Sequence, residues 1–159
     1  MRSGFENALT RWAIVLLGAA LIVVALCRPW YLASTVHGRA QLTGWGAWQL
    51  TGQLGASLRP LPFGLLIVLA AGFMIVCAVR SMFGGAIIGA MACLAIGILP
   101  VLIGGTVNQH LAGSDSVAIE LGPATKLVIN IALVSSVVCW IGFARCVLRA
   151  APRAEHDPR

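Results

Sequence analysis

The sequence predicts an all-α membrane protein, a bundle of four transmembrane helices with a small β-sheet cap. Apolar residues make up 59% of the 159 residues and charged residues only 10%, whereas soluble domains contain about 25% charged residues. The loops between the apolar runs show the alternation that is typical of strands. Each apolar run approaches the roughly 20 residues that a helix needs to cross a bilayer. The runs are 12–27, 61–79, 84–103 and 127–148.

The helices are expected to extend slightly beyond these runs. The predicted spans are 12–30, 61–80, 84–105 and 126–148. The two longer loops are then 31–60 and 106–125, and a short tail covers 149–159. No segment outside the spans is long enough to form a second core, so residues 1–159 are predicted to be one domain.

Basic residues predict the orientation of this bundle. The side that carries both termini and the short turn between the second and third spans has seven of them: Arg2, Arg11, Arg80, Arg145, Arg149, Arg153 and Arg159. The other side has four: Arg28, Arg39, Arg59 and Lys126. Because basic residues are enriched on the cytoplasmic side of a membrane, both termini are expected to be cytoplasmic. Arg80, Arg145 and Arg149 serve as topology anchors in this prediction.

The first loop is predicted to begin with a β-hairpin. Pro29 ends the first helix, and Trp30 and Tyr31 are expected to lie at the membrane interface as aromatic anchors. Residues 31–36 and 39–43 alternate around a His-Gly step at 37–38. Glycine supplies the positive φ of a tight turn, so two short strands are predicted.

After the hairpin, Trp45 and Trp48 follow a spacing nearer to a helix than to a strand. A short interfacial helix is predicted, with both rings on one face at headgroup depth. Two interpretations remain open: the rings contact lipid or a partner, or they seal the cap onto the bundle. Trp30, Tyr31, Trp45 and Trp48 are therefore candidates for an interface.

The second loop adds one strand. Residues 117–121 lie between a turn cluster and the breakers Gly122-Pro123. A lone strand cannot satisfy its backbone groups, so this strand is expected to join the hairpin in a sheet of about three strands on the extracytoplasmic side.

The third span carries small residues at four-residue steps, at Gly85, Gly89, Cys93 and Gly97. Such a ridge lets two helices approach closely. Its partner is either another span of the same chain or a second protein. Pro100, one turn further, is expected to kink or loosen the outer end of the helix.

Three polar residues lie in the fourth span. Asn130, Ser135 and Ser136 are costly in contact with lipid and are expected to face the bundle. The sequence places no Asp, Glu, His, Lys or Arg near the middle of any span. That pattern argues against an ion pathway or a proton relay, which need ionisable groups at depth.

The sequence offers no clear site for chemistry. His37, His110, Asp115 and Glu120 could hold a metal or act as acid and base, but their spacing matches no ligand pattern. The five cysteines lie in or beside the spans and indicate neither a disulfide framework nor a metal cluster. We therefore predict no catalytic residue, no metal and no cofactor. The net charge of +6 is explained by membrane orientation and predicts no nucleic-acid partner.

Three short steps carry a resemblance to known proteins: Pro29-Trp30-Tyr31 after the first span, Thr43-Gly44-Trp45, and Leu121-Gly122 before the last span. With them, the chain resembles a broad group of small four-helix membrane proteins of actinobacteria, many of uncharacterised function. It is also distantly similar to the membrane protein associated with tryptophan biosynthesis in these bacteria. The resemblance implies a fold and a cell-envelope setting, and it implies no activity. The chain is expected to lie in the bacterial inner (plasma) membrane.

The layout is also similar to that of claudins, which have four spans and a larger first loop with a Trp and a Gly-x-x-Trp-like step, here Trp30 and 44–48. Claudins keep a cysteine pair in that loop and this chain has none there. The similarity therefore implies a sheet-capped bundle and no paracellular function.

These observations lead to a functional hypothesis. The chain is expected to be a non-enzymatic accessory or assembly subunit of a larger cell-envelope complex, in lipid or cell-wall export, with the lipid bilayer and a membrane protein as partners. The alternative is a small transporter or channel that forms a homo-oligomer through the glycine ridge.

Overall fold

The computed structural model of the protein describes residues 2–35, 38–52, 62–111 and 118–150. It is mostly helical and contains a small antiparallel sheet of four strands. The helices are α1 (Arg2–Cys27), α2 (Phe63–Val79), α3 (Phe83–Leu111) and α4 (Pro123–Ala150). The strands are β1 (Tyr31–Thr35), β2 (Gly38–Leu42), β3 (Trp48–Gly52) and β4 (Ala118–Leu121).

Three helices are long and apolar enough to cross a membrane, through their segments Asn7–Cys27, Phe83–Ile103 and Pro123–Leu148. The second predicted span corresponds to α2, which is strongly apolar but has only 17 residues. At 1.5 Å per residue, α2 is about 25 Å long, a few ångströms less than the hydrocarbon thickness of a typical bilayer.

The four helices form a ring in which α1 packs on α2 and α4, and α3 packs on the same two helices. Each helix buries a stripe of residues spaced three or four apart, as expected for a helix with one inward face. The stripes include Ile14, Leu21 and Ala25 of α1, Ile67, Ala71 and Met74 of α2, Ala86, Ala90 and Cys93 of α3, and Val128, Ala132 and Cys139 of α4. Many of these side chains are small, so the helices lie close together.

A short turn connects α2 to α3 at the end of the bundle that lies away from the sheet. Ser81 has a left-handed φ of 60°. Its N–H donates to the Ala78 carbonyl at 3.0 Å, and the N–H of Met82 donates to the Cys77 carbonyl at 2.8 Å. This is the Schellman arrangement that ends many helices. Further along, α3 continues through Pro100.

The sheet has the strand order β3-β2-β1-β4, with every neighbouring pair antiparallel. The predicted hairpin is confirmed as β1 and β2, since Thr35 pairs with Gly38 across the predicted turn. The strand predicted in the second loop is β4, and it pairs with β1. The sheet therefore contains the three predicted strands and one more.

The additional strand replaces the predicted interfacial helix, which is wrong for the described part of that segment. The N–H of Thr43 donates to the Ala47 carbonyl at 3.0 Å, and Gly46 adopts a left-handed φ of 85°. This tight turn directs the chain back along β2, where Trp48 pairs with Leu42. Pairing with β2 satisfies the backbone groups of the segment, and Trp45 lies in the turn instead of sharing a helical face with Trp48.

Candidate functional site

The outer face of the sheet carries polar side chains from all four strands. Directly paired residues lie on the same face of a sheet, and the register forms two rows. One row is Glu120, Leu32, Gln41 and Gln49. The second row is Ala118, Ser34, Arg39 and Thr51. The polar residues of both rows are exposed, and Leu32 is half-buried. We refer to these two rows as the polar face.

Trp45 lies in the turn between β2 and β3, and 62% of its surface is exposed. Trp48 is half-buried at the start of β3 and packs against the buried core. The two predicted interface tryptophans therefore differ: Trp45 is available to a lipid or a partner, whereas Trp48 joins the edge of the sheet to the bundle.

The side chains of Trp30 and Tyr31 are not available to lipid or to a partner, so the expectation that their rings act as interface anchors is wrong. Both side chains are fully buried, and both rings pack near Phe63 at the start of α2, with centroids at 5.4 Å and 6.3 Å. The sheet covers this end of the bundle, so aromatic rings that follow the first helix are enclosed between the sheet and the helix ends.

Hydrogen bonds fix Trp30 to the surrounding elements. Its indole N–H donates to the Ala25 carbonyl near the end of α1, at 2.9 Å, and its backbone N–H donates to the Leu42 carbonyl at 2.8 Å. Its own carbonyl accepts from the Gly122 N–H at 2.8 Å and from the Thr125 hydroxyl at 3.2 Å. One residue thus joins α1, β2 and the start of α4.

Tyr31 connects the sheet to the remaining helix. Its hydroxyl donates to the Pro100 carbonyl in α3 at 2.5 Å. Burial raises the pKa of Tyr31 to about 12, because the charged phenolate would lose its hydration there. Through Trp30 and Tyr31 together, the sheet contacts all four helices.

Three glycines allow the backbones to meet at this junction. A Cβ atom added at Gly44 would lie 2.0 Å from the Ala25 carbonyl oxygen. A Cβ at Gly64 would lie 2.4 Å from the Gly44 oxygen, and one at Gly122 would lie 2.2 Å from the Pro29 oxygen. Gly122 was predicted only to end a strand, and no close approach of backbones was predicted at any of the three glycines. Gly44 and Gly122 belong to the short sequence steps that carry the resemblance to known proteins. Their presence in these steps is the signal that could have identified them.

The glycine ridge of α3 packs inside the chain. A Cβ added at Gly85 would lie 2.6 Å from the Cys77 sulfur, and one at Gly89 would lie 2.8 Å from the Met74 Cβ, both in α2. Cys93 is fully buried. A Cβ at Gly97 would lie 3.0 Å from Val128 of α4. The structure therefore places α2 and α4 against the ridge.

The polar residues of α4 divide between its two faces. Ser135 and Ser136 are buried, and their hydroxyls donate to the Ile131 and Ala132 carbonyls one turn earlier, at 2.7 Å and 2.9 Å. Asn130 is exposed, so the expectation that it faces the bundle is wrong. Successive residues of a helix are about 100° apart, which places Asn130 opposite the stripe that α4 buries.

Three basic side chains lie at the end of the bundle away from the sheet. Arg11 donates to the Val79 carbonyl at 2.5 Å, beside the exposed Arg80. Arg145 is also exposed and donates to the Thr10 hydroxyl at 3.5 Å. Two of the predicted topology anchors therefore lie at the same end of the bundle. Arg149 lies in α4, but its side chain is outside the described part of the structure.

Of the residues considered for acid–base or metal chemistry, Glu120 is exposed on the polar face. His37 and Asp115 lie outside the described residues, as does the side chain of His110. Among the side chains that the structure does describe, no group of three His, Cys, Asp or Glu residues could hold a metal ion.

Comparison of the chain with protein-family models, with curated proteins and with solved structures finds no match.

Proposed function

We propose that the chain is a multi-pass protein of a bacterial inner membrane, where it acts as a non-enzymatic accessory or assembly subunit of a larger cell-envelope complex in lipid or cell-wall export. The polar face of the sheet, together with the exposed Trp45 in the turn between β2 and β3, is the surface that docks on the partner. The observation that carries this proposal is the attachment of that face to all four helices through Trp30 and Tyr31.

Rigid attachment favours a role in docking because a preformed surface loses little conformational entropy on binding. The face combines groups that recur at protein interfaces. Arg39 and Glu120 offer opposite charges, Gln41 and Gln49 offer amide donors and acceptors, and Trp45 is an exposed ring of the kind that is enriched at binding hot spots.

The sides of the helices support the membrane setting. Large apolar residues are exposed on every helix, among them Leu16, Leu69, Ile88 and Val137. Water would oppose such exposure over a whole bundle, whereas hydrocarbon does not. The cluster of Arg11, Arg80 and Arg145 supports a cytoplasmic location for the end away from the sheet.

The glycine ridge does not favour the alternative of a homo-oligomeric channel. Gly85 and Gly89 are in contact with α2, and Gly97 is in contact with α4. A ridge that is covered by helices of its own chain is not free to bind a second copy.

Site-specific photo-crosslinking in native membranes tests the docking role. A photoreactive amino acid at Gln41, in the centre of the polar face, is expected to capture one reproducible membrane-complex protein. The matched control is Leu69, which is exposed on the side of α2, where the same probe should capture lipid. Trp45→Ala should reduce the capture at Gln41. Finding no protein above background at Gln41, or the same proteins at both positions, would overturn the proposal.

A further inference from the structure

Asn130 is an exception on the apolar surface of the bundle. Between the charged ends of the four helices, the other exposed side chains that the structure describes are apolar. The Asn130 amide makes no hydrogen bond to the part of the chain that the structure describes. Because Asn130 lies opposite the buried stripe of α4, a rotation of the helix that brought it inward would expose Cys139 and Ala132 instead.

The depth of Asn130 makes this exposure costly in a membrane. At 1.5 Å per residue, it lies about 6 Å further along the helix axis than Lys126 and about 10 Å beyond Pro123, the first residue of α4. Its side chain is too short to return its amide to the level of Lys126. An amide that is removed from water without a hydrogen-bond partner costs about 2 kcal/mol or more, so a partner for Asn130 within the membrane would be favoured.

The residues above and below Asn130 form a continuous apolar seam on the same exposed face of α4. Their spacing alternates between three and four residues, which is the heptad spacing of helices that pack side by side in a left-handed pair. The seam consists of Leu127, Asn130, Val134, Val137, Ile141, Ala144 and Leu148, and all seven residues are exposed.

We infer that this seam binds the same seam of a second copy of the chain, so that the protein is a symmetric dimer in the membrane with Asn130 paired to Asn130 of the partner subunit. Two copies insert in the same orientation, so their α4 helices run parallel and equal positions meet at equal depth. Primary amides donate and accept hydrogen bonds, so two identical amides satisfy each other across a two-fold axis.

The pairing also explains why a single polar residue is sufficient. A shift of one seam along the other would leave both amides in contact with apolar side chains, so Asn130 fixes the register of the dimer. The sides of α1, α2 and α3 also expose large apolar residues, but between their charged ends they carry no such group among their described side chains, since the exposed Asn7 of α1 lies before Arg11. The sides of these three helices therefore do not define a specific position for a second copy of the chain.

Association of the purified chain in lipid bilayers is the first test. Energy transfer between fluorescently labelled copies is measured over a series of dilutions in lipid. Asn130→Leu is expected to weaken dimerisation about tenfold, since two interhelical hydrogen bonds are lost, while Asn130→Gln should retain most of it. The control Leu69→Ala, on the side of α2, should have no effect. Unchanged association in Asn130→Leu, or a monomer at every dilution, overturns the inference.

Disulfide crosslinking locates the interface. In a background in which the two exposed cysteines, Cys27 and Cys146, are replaced by Ser, Val137→Cys should form a disulfide-linked dimer under mild oxidation. Phe73→Cys, exposed on α2, should not, and adding Asn130→Leu should reduce the Val137→Cys product. A dimer that forms only through Phe73→Cys, or a Val137→Cys adduct with a different protein, contradicts the second copy as occupant.

The inference goes beyond the accessory role and rests only on its membrane setting. The dimer is measured with the purified chain in bilayers, where no other protein is present. The docking role is measured at Gln41 on the sheet, in native membranes. Either result can fail while the other holds.

Discussion

Tyr31 is the residue at which the chemistry of the junction can be observed directly. It is the single tyrosine of the chain, its hydroxyl donates to the Pro100 carbonyl, and its ring is fully buried. Burial disfavours the phenolate, so ionisation of this side chain is linked to the folding of the whole protein.

Stability is expected to fall as the pH rises from about 10 to 12. The pKa of Tyr31 is about 12 in the folded state and about 10 for an exposed tyrosine, as in the unfolded state, so the folded state holds the proton more tightly than the unfolded state. The stabilisation is complete below pH 10 and is lost as the pH passes through the folded pKa, and its size is about 2 to 3 kcal/mol. Denaturation in detergent at a series of pH values measures it, and the phenolate absorbance reports Tyr31 alone.

The control for this prediction is Tyr31→Phe. It loses the hydrogen bond to α3 and about 1 kcal/mol of stability at neutral pH, but its stability should no longer decline with the same slope above pH 10. An ordinary titration of the wild-type phenol near pH 10 would contradict the burial of Tyr31.

At the residue scale, the sequence indicated the chemical character of a side chain better than its location in the structure. Trp30 and Tyr31 follow a helix end, where aromatic rings lie either at a membrane interface or in a core. Only the packing of Phe63 and Leu42 against them determines which of these locations the rings occupy. The outward position of Asn130, in contrast, was predictable from the sequence. Asn130 and Ser135 lie about 140° apart on a helix, so both could not face inward, and the apolar stripe through Val128 indicated which one does.

At the scale of the elements, α2 illustrates how glycine positions control packing. A Cβ added at Gly64 would lie 2.4 Å from the Gly44 carbonyl oxygen and 2.8 Å from the Ala25 carbonyl oxygen. These are backbone atoms of neighbouring elements and cannot move independently. Gly72 lies in the same helix and has open space within 4 Å.

Gly64→Ala and Gly72→Ala are therefore expected to have opposite effects. The first should lower the free energy of unfolding by about 2 kcal/mol or more, because the start of α2 must move away from the sheet. The second should change it by less than about 1 kcal/mol, in the stabilising direction, since alanine is the better helix former. Unfolding of both variants in the same detergent measures the difference. Equal effects would show that the junction is not closely packed.

The β-strands show where sequence patterns are sufficient and where they are not. The hairpin of β1 and β2 was predictable because its turn and its alternation agree. β3 was not, because Trp45 and Trp48 are three residues apart and this spacing indicates a helix. Pairing with the free edge of β2 decided the structure of this segment, and that edge is a tertiary feature that the local spacing does not contain.

At the scale of the whole molecule, the sheet lies at one end of the bundle and the turn between α2 and α3 lies at the other. Arg11, Arg80 and Arg145 lie at the end of the bundle that carries this turn. The excess of basic residues on that side of the complete sequence predicts that the turn is cytoplasmic and the sheet extracytoplasmic.

Cysteine labelling in cells measures this orientation. In a background without the exposed Cys27 and Cys146, Gln49→Cys on the polar face should react with a membrane-impermeant maleimide in intact cells. Met82→Cys, exposed at the turn, should react only after permeabilisation. The reverse pattern would show that the protein is inserted in the opposite orientation.

The joining of β1 to β4 also has a consequence for how the chain is made. Trp30 directly precedes β1 and Thr125 follows β4, and the hydrogen bond between them spans 95 residues of sequence. At 5 to 20 residues per second, a ribosome takes on the order of 5 to 20 s to synthesise such a length. Strands β1, β2 and β3 can pair early, but one edge of β1 stays open until β4 arrives. During that interval the nascent chain presents an unpaired strand edge, which makes a folding intermediate prone to aggregation.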